Sequence, residues 1–444
     1  MSTVSPMMQQ YQDAKALCGE ALLLFRMGDF YELFYDDAKI AAEAVGLTLT
    51  SRDKGTNPIP MAGFPHHQLE GYLGKLIQGG YRVAICEQVE DPKKAKGLVK
   101  REVTRVVTPG TLTDDNLLDP RQSNYLVAVS PPGNSKKETP LAGVAWVELS
   151  TGQFMATSVA MEKLADHLMR IAPSECLLPD SAKLAAEELY VECMVTRRPD
   201  WAFGRDVASK TLAKHFQTNT LEGFGYDKTD QPAIQAAGAV IDYLIETQKA
   251  SLAHIDRVVP YRSTKTLDID QATRRSLELT RTIRDGNRAG SLLAVMDRTV
   301  TAMGARLLGE WLASPLTEID EMNRRFDCVE ELAGDESWRA QLREELRGVY
   351  DLQRLLTRVT TGRATPRDLG CVGQTLGRLP QIKTILAGRH SRLLQELDAN
   401  LDLCPDIYSQ LQAALKDELP LVSRDGGMIR DGFDQELDEL RQLA

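Results

Sequence analysis

The sequence predicts a multidomain chain in which two α/β domains precede an all-helical segment. Three observations carry that expectation. The 444 residues suffice for two to four domains at roughly 100–200 residues each. Up to about residue 250, short apolar runs of strand character alternate with stretches of helical period. From about residue 264 the helical period holds almost throughout.

The first α/β segment opens with helical spacing from Met7 to Leu17, followed by an apolar run from Leu22 to Phe25 that reads as a strand. A helix runs from about Tyr35 to Val45. Pro58-Ile59-Pro60-Met61-Ala62-Gly63-Phe64-Pro65 reads as a loop, because three prolines punctuate it. A helix from about Gln68 to Gln78 stops at Gly79-Gly80. Strands follow from Tyr81 to Glu87 and from Val99 to Thr108, the second ended by Pro109-Gly110.

The second segment has strand signals from Tyr125 to Val129 and from Leu141 to Leu149, separated by a polar loop from Ser130 to Pro140. Ser150-Thr151-Gly152 turns the chain back into a strand from Gln153 to Ser158. A helix (Met161 to Ala172), a strand (Cys176 to Leu178) and further helices complete a β-β-β-α-β-α order. One sheet with helices packed on it, in a ribonuclease-H-like layout, fits that order.

In the helical segment Met303, Leu307, Leu308, Trp311 and Leu312 form an apolar stripe closed by Pro315. Thr365-Pro366-Arg367-Asp368 supplies an N-cap, a first-turn proline and an acid at the third helical position. The last helix, from about Asp434, places Leu437, Leu440 and Ala444 on one narrow face and stops without a cap. That reads as a fragment of something longer.

Chemistry is mostly excluded rather than offered. Seven scattered cysteines, never in Cys-x-x-Cys spacing, suit free thiols better than a disulfide framework or a zinc site. No signal peptide and no membrane-length apolar run is visible, so a cytoplasmic protein without membrane partners is expected. The phosphate-cradling Gly-x-x-x-x-Gly-Lys-Ser/Thr pattern is missing: Gly74-Lys75 precedes Leu76 and lacks the first glycine. Glu148 stands alone on its strand, whereas a two-metal nuclease needs several converging carboxylates. His66-His67 reads as a surface pair, not a chelate. Net charge is −10, yet Lys93, Lys94, Lys96, Lys100, Arg101 and Arg105 face only Glu102 between positions 93 and 105. That strip is either a solvated charge run or a phosphate contact.

The informative stretch is Gly28-Asp29-Phe30-Tyr31-Glu32-Leu33-Phe34-Tyr35, with four aromatics in six positions beside a glycine that permits a sharp turn. Phe30, Leu33 and Phe34 have helical spacing and could simply be core. An aromatic wedge with an acid two residues on is the other reading, since inserted apolar side chains unstack and kink duplexes.

This stretch resembles the mismatch-sensing motif of the MutS family of DNA mismatch-repair proteins. Met7-Met8-Gln9-Gln10-Tyr11 precedes it, and Pro60-Met61-Ala62-Gly63-Phe64-Pro65, Val83-Ala84-Ile85-Cys86-Glu87-Gln88 and Val107-Thr108-Pro109-Gly110-Thr111 follow in family order. Asp270-Gln271-Ala272-Thr273-Arg274-Arg275-Ser276-Leu277-Glu278, Thr301-Ala302-Met303-Gly304-Ala305-Arg306, Thr365-Pro366-Arg367-Asp368-Leu369 and Glu436-Leu437-Asp438-Glu439-Leu440 extend the likeness along the chain. One departure is His66, where the family usually has tyrosine.

The resemblance implies a mismatch-binding domain over 1–113, a connector over 120–255, the first part of a helical core over 256–433, and the start of an arm toward a DNA clamp over 434–444. It implies that Phe30 stacks on a mispaired base from the minor groove and that Glu32 hydrogen-bonds that base. Met27, Asp29, Arg52 and Met61 would lie around the same groove, with Lys93 and Arg101 near phosphates. The partner implied is double-stranded DNA with mismatches or small loops, in a nucleoid-associated setting. The family also implies a homodimer, a MutL-type partner, and an ATPase using ATP and Mg that lies outside this chain. No cofactor is expected in the chain itself. The rival reading is a relative working in recombination, or a scaffold, without mismatch specificity.

Overall fold

A computed structural model describes residues 5–52, 58–90, 97–132, 140–184 and 193–443. The chain divides into two compact units. One comprises Met1–Asp119 and Asn124–Tyr261, the other Pro120–Ser123 and Arg262–Ala444.

The first unit holds two six-stranded mixed sheets. Helix α1 (Pro6–Cys18) leads into β1 (Leu22–Met27), β2 (Phe30–Phe34), α2 (Tyr35–Val45), β3 (Thr50–Ser51), β4 (Pro60–Pro65), α3 (Leu69–Gln78), β5 (Val83–Gln88) and β6 (Arg101–Val107). The strand order is β3-β4-β2-β1-β5-β6. α2 and α3 cover one face through Leu24, Leu33, Ala38, Leu73 and Leu76, and α1 covers the other through Met8, Tyr11, Phe25 and Phe34. Two expectations fail here. Pro60 to Pro65 is a strand, because its prolines occupy end positions, opposite Ser51 and Phe30, where a missing N–H is tolerated. Phe30, Leu33 and Phe34 lie on a strand, so their helical spacing is coincidental.

The second sheet consists of β7 (Tyr125–Ser130), β8 (Leu141–Glu148), β9 (Gln153–Ala160), β10 (Glu175–Pro179), β11 (Met194–Arg198) and β12 (Val259–Pro260), ordered β11-β10-β7-β8-β9-β12. Helix α4 (Leu164–Ile171) packs on one face against Val129, Val144 and Trp146. Helix α6 (Gln231–Gln248) packs on the other, with α5 (Arg205–His215) beside it, against Leu126, Ala145 and Val147. Strand β11 falls where only helices were expected. Its inward residues are Thr196, which bonds the buried Glu175, and Arg198, which pairs with Asp242 and Glu246 of α6, so no apolar alternation announces the strand.

The second unit is helical: α7 (Gln271–Ser276), α8 (Leu292–Met296), α9 (Ala302–Ala313), α10 (Ile319–Gly334), α11 (Glu336–Arg347), α12 (Leu352–Thr360), α13 (Pro366–Leu386), α14 (Arg392–Asn400), α15 (Pro405–Ala414) and α16 (Gln435–Leu443). The capping box at Thr365 and Asp368 starts α13 as read from sequence. The α9 stripe differs from expectation. Leu307 and Trp311 are exposed, while Ala305 and Arg306 are buried. Arg306 bonds Asp351 (2.5 Å) and the Pro120 carbonyl (3.0 Å), which is what its burial requires. Among the described residues no helix is long and apolar enough to cross a membrane.

Candidate nucleic-acid interface

The aromatic stretch forms the turn and second strand of a hairpin. β1 and β2 pair antiparallel, Phe25 opposite Glu32, Arg26 opposite Tyr31 and Met27 opposite Phe30. Two residues, Gly28 and Asp29, close it. Gly28 takes φ 58°, the left-handed value that glycine accepts without strain. The Arg26 Nε donates to the Gly28 carbonyl at 2.5 Å, and the Asp29 carbonyl accepts from the His66 N–H at 2.8 Å, so the turn is tied from both sides.

Strand alternation then sorts the side chains. Tyr31 and Leu33 point into the core, 1% and 0% exposed, and Phe34 is buried at the strand end. Phe30 and Glu32 share the opposite face. Phe30 is 46% exposed, a large aromatic left open on a strand whose other two aromatics, Tyr31 and Phe34, are enclosed. Glu32 is half-buried and pairs with Arg52 at 3.4 Å, whose guanidinium also lies over the Phe34 ring at 5.7 Å. Burial pushes the Glu32 carboxyl up from its ordinary value, while Arg52 and Arg101 pull the other way.

The remaining expected residues divide. Met27 and Met61 are half-buried against the α1 side of the sheet, and Asp29 is exposed at the turn. Arg101 turns inward. Its donors go to the Arg26 carbonyl (2.6 Å), the Val99 carbonyl (2.9 Å) and Gln10 (3.3 Å), and it lies over the Phe25 ring. Lys93, with Lys94 and Lys96, lies outside the described residues. His66, read as half of a surface pair, is half-buried and braces the hairpin turn.

Sequence reasoning missed a brace beneath the strand that carries Phe30. The Tyr31 hydroxyl donates to Glu87, Arg26 sits 4.0 Å from the same carboxylate, and its guanidinium lies 5.5 Å from the Tyr31 ring centre. Burial, then Glu87, raises the Tyr31 phenol well above its ordinary value. The only sequence signal for this brace is the antiparallel register, which sets Arg26 opposite Tyr31. An exposed aromatic and a half-buried acid on one rigid face can stack on a planar group and hydrogen-bond its edge. Among the described residues no cluster of His, Cys, Asp and Glu is suited to hold a metal.

Comparison with known proteins agrees along the chain. Profiles of MutS domain I, MutS domain II and MutS domain III match residues 5–116, 124–256 and 272–444. A DNA mismatch repair protein MutS of Rhodopirellula baltica is 50% identical over 99% of this chain and 51% of its own length. Proteins of the same name from Myxococcus xanthus and Chlorobaculum parvum are 43% and 42% identical, over 100% and 99% of this chain and 50% of their own lengths. The chain thus spans about half the length of these curated relatives. With three successive domain profiles in order and relatives of one name over its whole length, the chain belongs to the MutS family.

Proposed function

We propose that this chain recognises mispaired or unpaired bases in double-stranded DNA, with Phe30 entering the minor groove as a wedge and Glu32 hydrogen-bonding the displaced base. The observation that supports this most is the exposure of Phe30 on a strand whose other aromatics are enclosed. A mismatch differs little from paired DNA in its groove pattern but costs less to unstack and bend, so a wedge reads deformability. Stacking on one base is worth about 1–3 kcal/mol, enough for useful discrimination.

In this reading Met27, Asp29, Arg52 and Met61 border the groove, and Lys93 adds phosphate affinity. Residues 1–113 form the mismatch-binding domain, 120–255 a ribonuclease-H-like connector, 256–433 the first part of a helical core, and 434–444 the start of the clamp arm. ATP, Mg, a homodimer and a MutL-type partner belong to the proposal for the whole protein. The sequence of this chain offers no phosphate loop to hold ATP.

The test compares Phe30→Ala with the parent on mismatched and paired duplexes. The preference for mismatched DNA is expected to disappear, while the weak salt-dependent affinity for paired DNA stays. A Phe30→Ala protein that keeps its preference overturns the wedge.

A further inference from the structure

Away from the wedge, one carboxylate gathers four donors where the two sheets of the first unit meet. Glu175, the first residue of β10, is fully buried. Its Oε2 accepts from the Thr108 hydroxyl and from the Gly110 N–H at 3.1 Å. Its Oε1 accepts from the Thr196 hydroxyl at 2.6 Å and the Tyr243 hydroxyl at 2.7 Å. Thr196 is on β11 and Tyr243 on α6, both in the connector. Thr108 and Gly110 belong to the turn that leaves β6, the edge strand of the sheet that bears Phe30.

The approach is close because position 110 has no side chain. A Cβ there would sit 2.7 Å from the Glu175 Cβ. Beside it the Asn124 side-chain amide donates to the Pro109 carbonyl at 2.8 Å, while its oxygen accepts from Ser174 at 2.6 Å. The Arg82 guanidinium, just before β5, lies 6.0 Å from the Tyr243 ring centre.

A carboxylate without water is costly unless its lone pairs are filled. Here half of the filling comes from each sheet's own segment. Parting the two sheets strips two donors from an otherwise enclosed group, so the joint resists opening. An apolar side chain could fill the same space without that directional hold.

We propose that Glu175 is a positioning residue that fastens the wedge-bearing sheet to the connector, so that Phe30 meets the duplex on a rigid mount. Its functional arm rests on the mismatch reading above. Unstacking a base step costs a few kcal/mol, and a mount that swings lets the duplex relax instead.

The experiment uses the full chain with Glu175→Ala, Glu175→Gln and Gly110→Ala. It measures backbone hydrogen exchange and the ratio of affinities for mismatched and paired duplexes. In Glu175→Ala, the amides of Thr108, Gly110 and Thr111 are expected to exchange about tenfold faster or more, with β1 and β2 unchanged. The affinity ratio is expected to fall roughly fivefold. Gly110→Ala keeps the carboxylate but pushes the turn away, and should show both changes. Glu175→Gln should restore both. Its carbonyl can serve Thr108 and Gly110, while the hydroxyls of Thr196 and Tyr243 turn to accept from its amide.

Unchanged exchange at these amides in Glu175→Ala and Gly110→Ala overturns the fastening. Loss of protection in β1 and β2 as well overturns it too, since Glu175 would then hold up the domain itself. A loosened turn with an unchanged ratio removes the positioning role. If Phe30→Ala keeps its preference, the wedge alone fails, and the exchange measurement still decides the joint.

Discussion

Arg52 stands 3.4 Å from Glu32, so the acid that shares a strand face with Phe30 is paired in the protein alone. Burial raises the carboxyl while Arg52 and then Arg101 lower it, and burial wins. A raised folded value favours the protonated form. The stability it contributes is complete below the unfolded value of about 4.3 and is lost as pH rises through the folded value.

The consequence for binding is a pH profile. A protonated Glu32 donates to an acceptor on a base edge, whereas the carboxylate only accepts. Preference for mismatched DNA should therefore grow as pH falls toward the Glu32 midpoint, which lies above the usual carboxylate value. Glu32→Gln should flatten the profile, because its amide donates at every pH. Arg52→Ala should raise the Glu32 midpoint, read by carbon NMR of the carboxyl, and shift the profile upward with it. A parent profile as flat as that of Glu32→Gln would remove protonation from the account.

Neighbours in sequence should differ in what their loss does to folding. Phe30 is 46% exposed, so Phe30→Ala should stay within about 1 kcal/mol of the parent in urea melts. Tyr31 is 1% exposed and braced by Glu87, so Tyr31→Ala should cost about 3–5 kcal/mol. Equal losses would mean that Phe30 is core.

Arg101 is spent on carbonyls and Gln10, which makes it a support of the hairpin in this structure. Arg101→Ala should lower the mismatch preference while leaving the salt dependence of binding to paired DNA unchanged. A phosphate contact would instead reduce the slope of log affinity against log salt by about 1. Titrating binding with salt separates the two roles.

Much of the fold was legible because it is written locally. The capping box of α13 and the strands of the second sheet before β10 need only neighbouring residues to be read. The hairpin was harder. Phe30, Leu33 and Phe34 satisfy a helical period by accident, and the glycine at position 28, which permits a sharp turn, was the better guide. Other features have their reasons far along the chain. Arg306 is buried because Asp351 faces it, and β11 is polar inside because Glu175, Asp242 and Glu246 await its side chains. Arg101 reads as a phosphate ligand in a basic run, and only the register of β6 beside β5 turns it toward Arg26.

Asp297 in the helical unit gives a prediction with the opposite sign to that of Glu32. Burial would raise its carboxyl, but donors from Arg121, Thr299 and Arg288 outweigh burial and hold it well below the carboxylate range. Arg121 reaches it at 2.7 and 3.1 Å, and the Thr299 hydroxyl at 2.7 Å. Because the folded value is depressed, this stability is present above the unfolded value of about 3.9 and drains away as pH falls below it. Asp297→Ala removes the buried carboxylate that Arg121 and Arg288 share, and should cost the helical unit about 3–5 kcal/mol near neutral pH. Asp297→Asn keeps the shape but cannot titrate. Its stability, followed by urea melts, should therefore change less between about pH 6 and about pH 3 than that of the parent. Parallel losses in the two proteins would show that the acid sensitivity of this unit arises elsewhere.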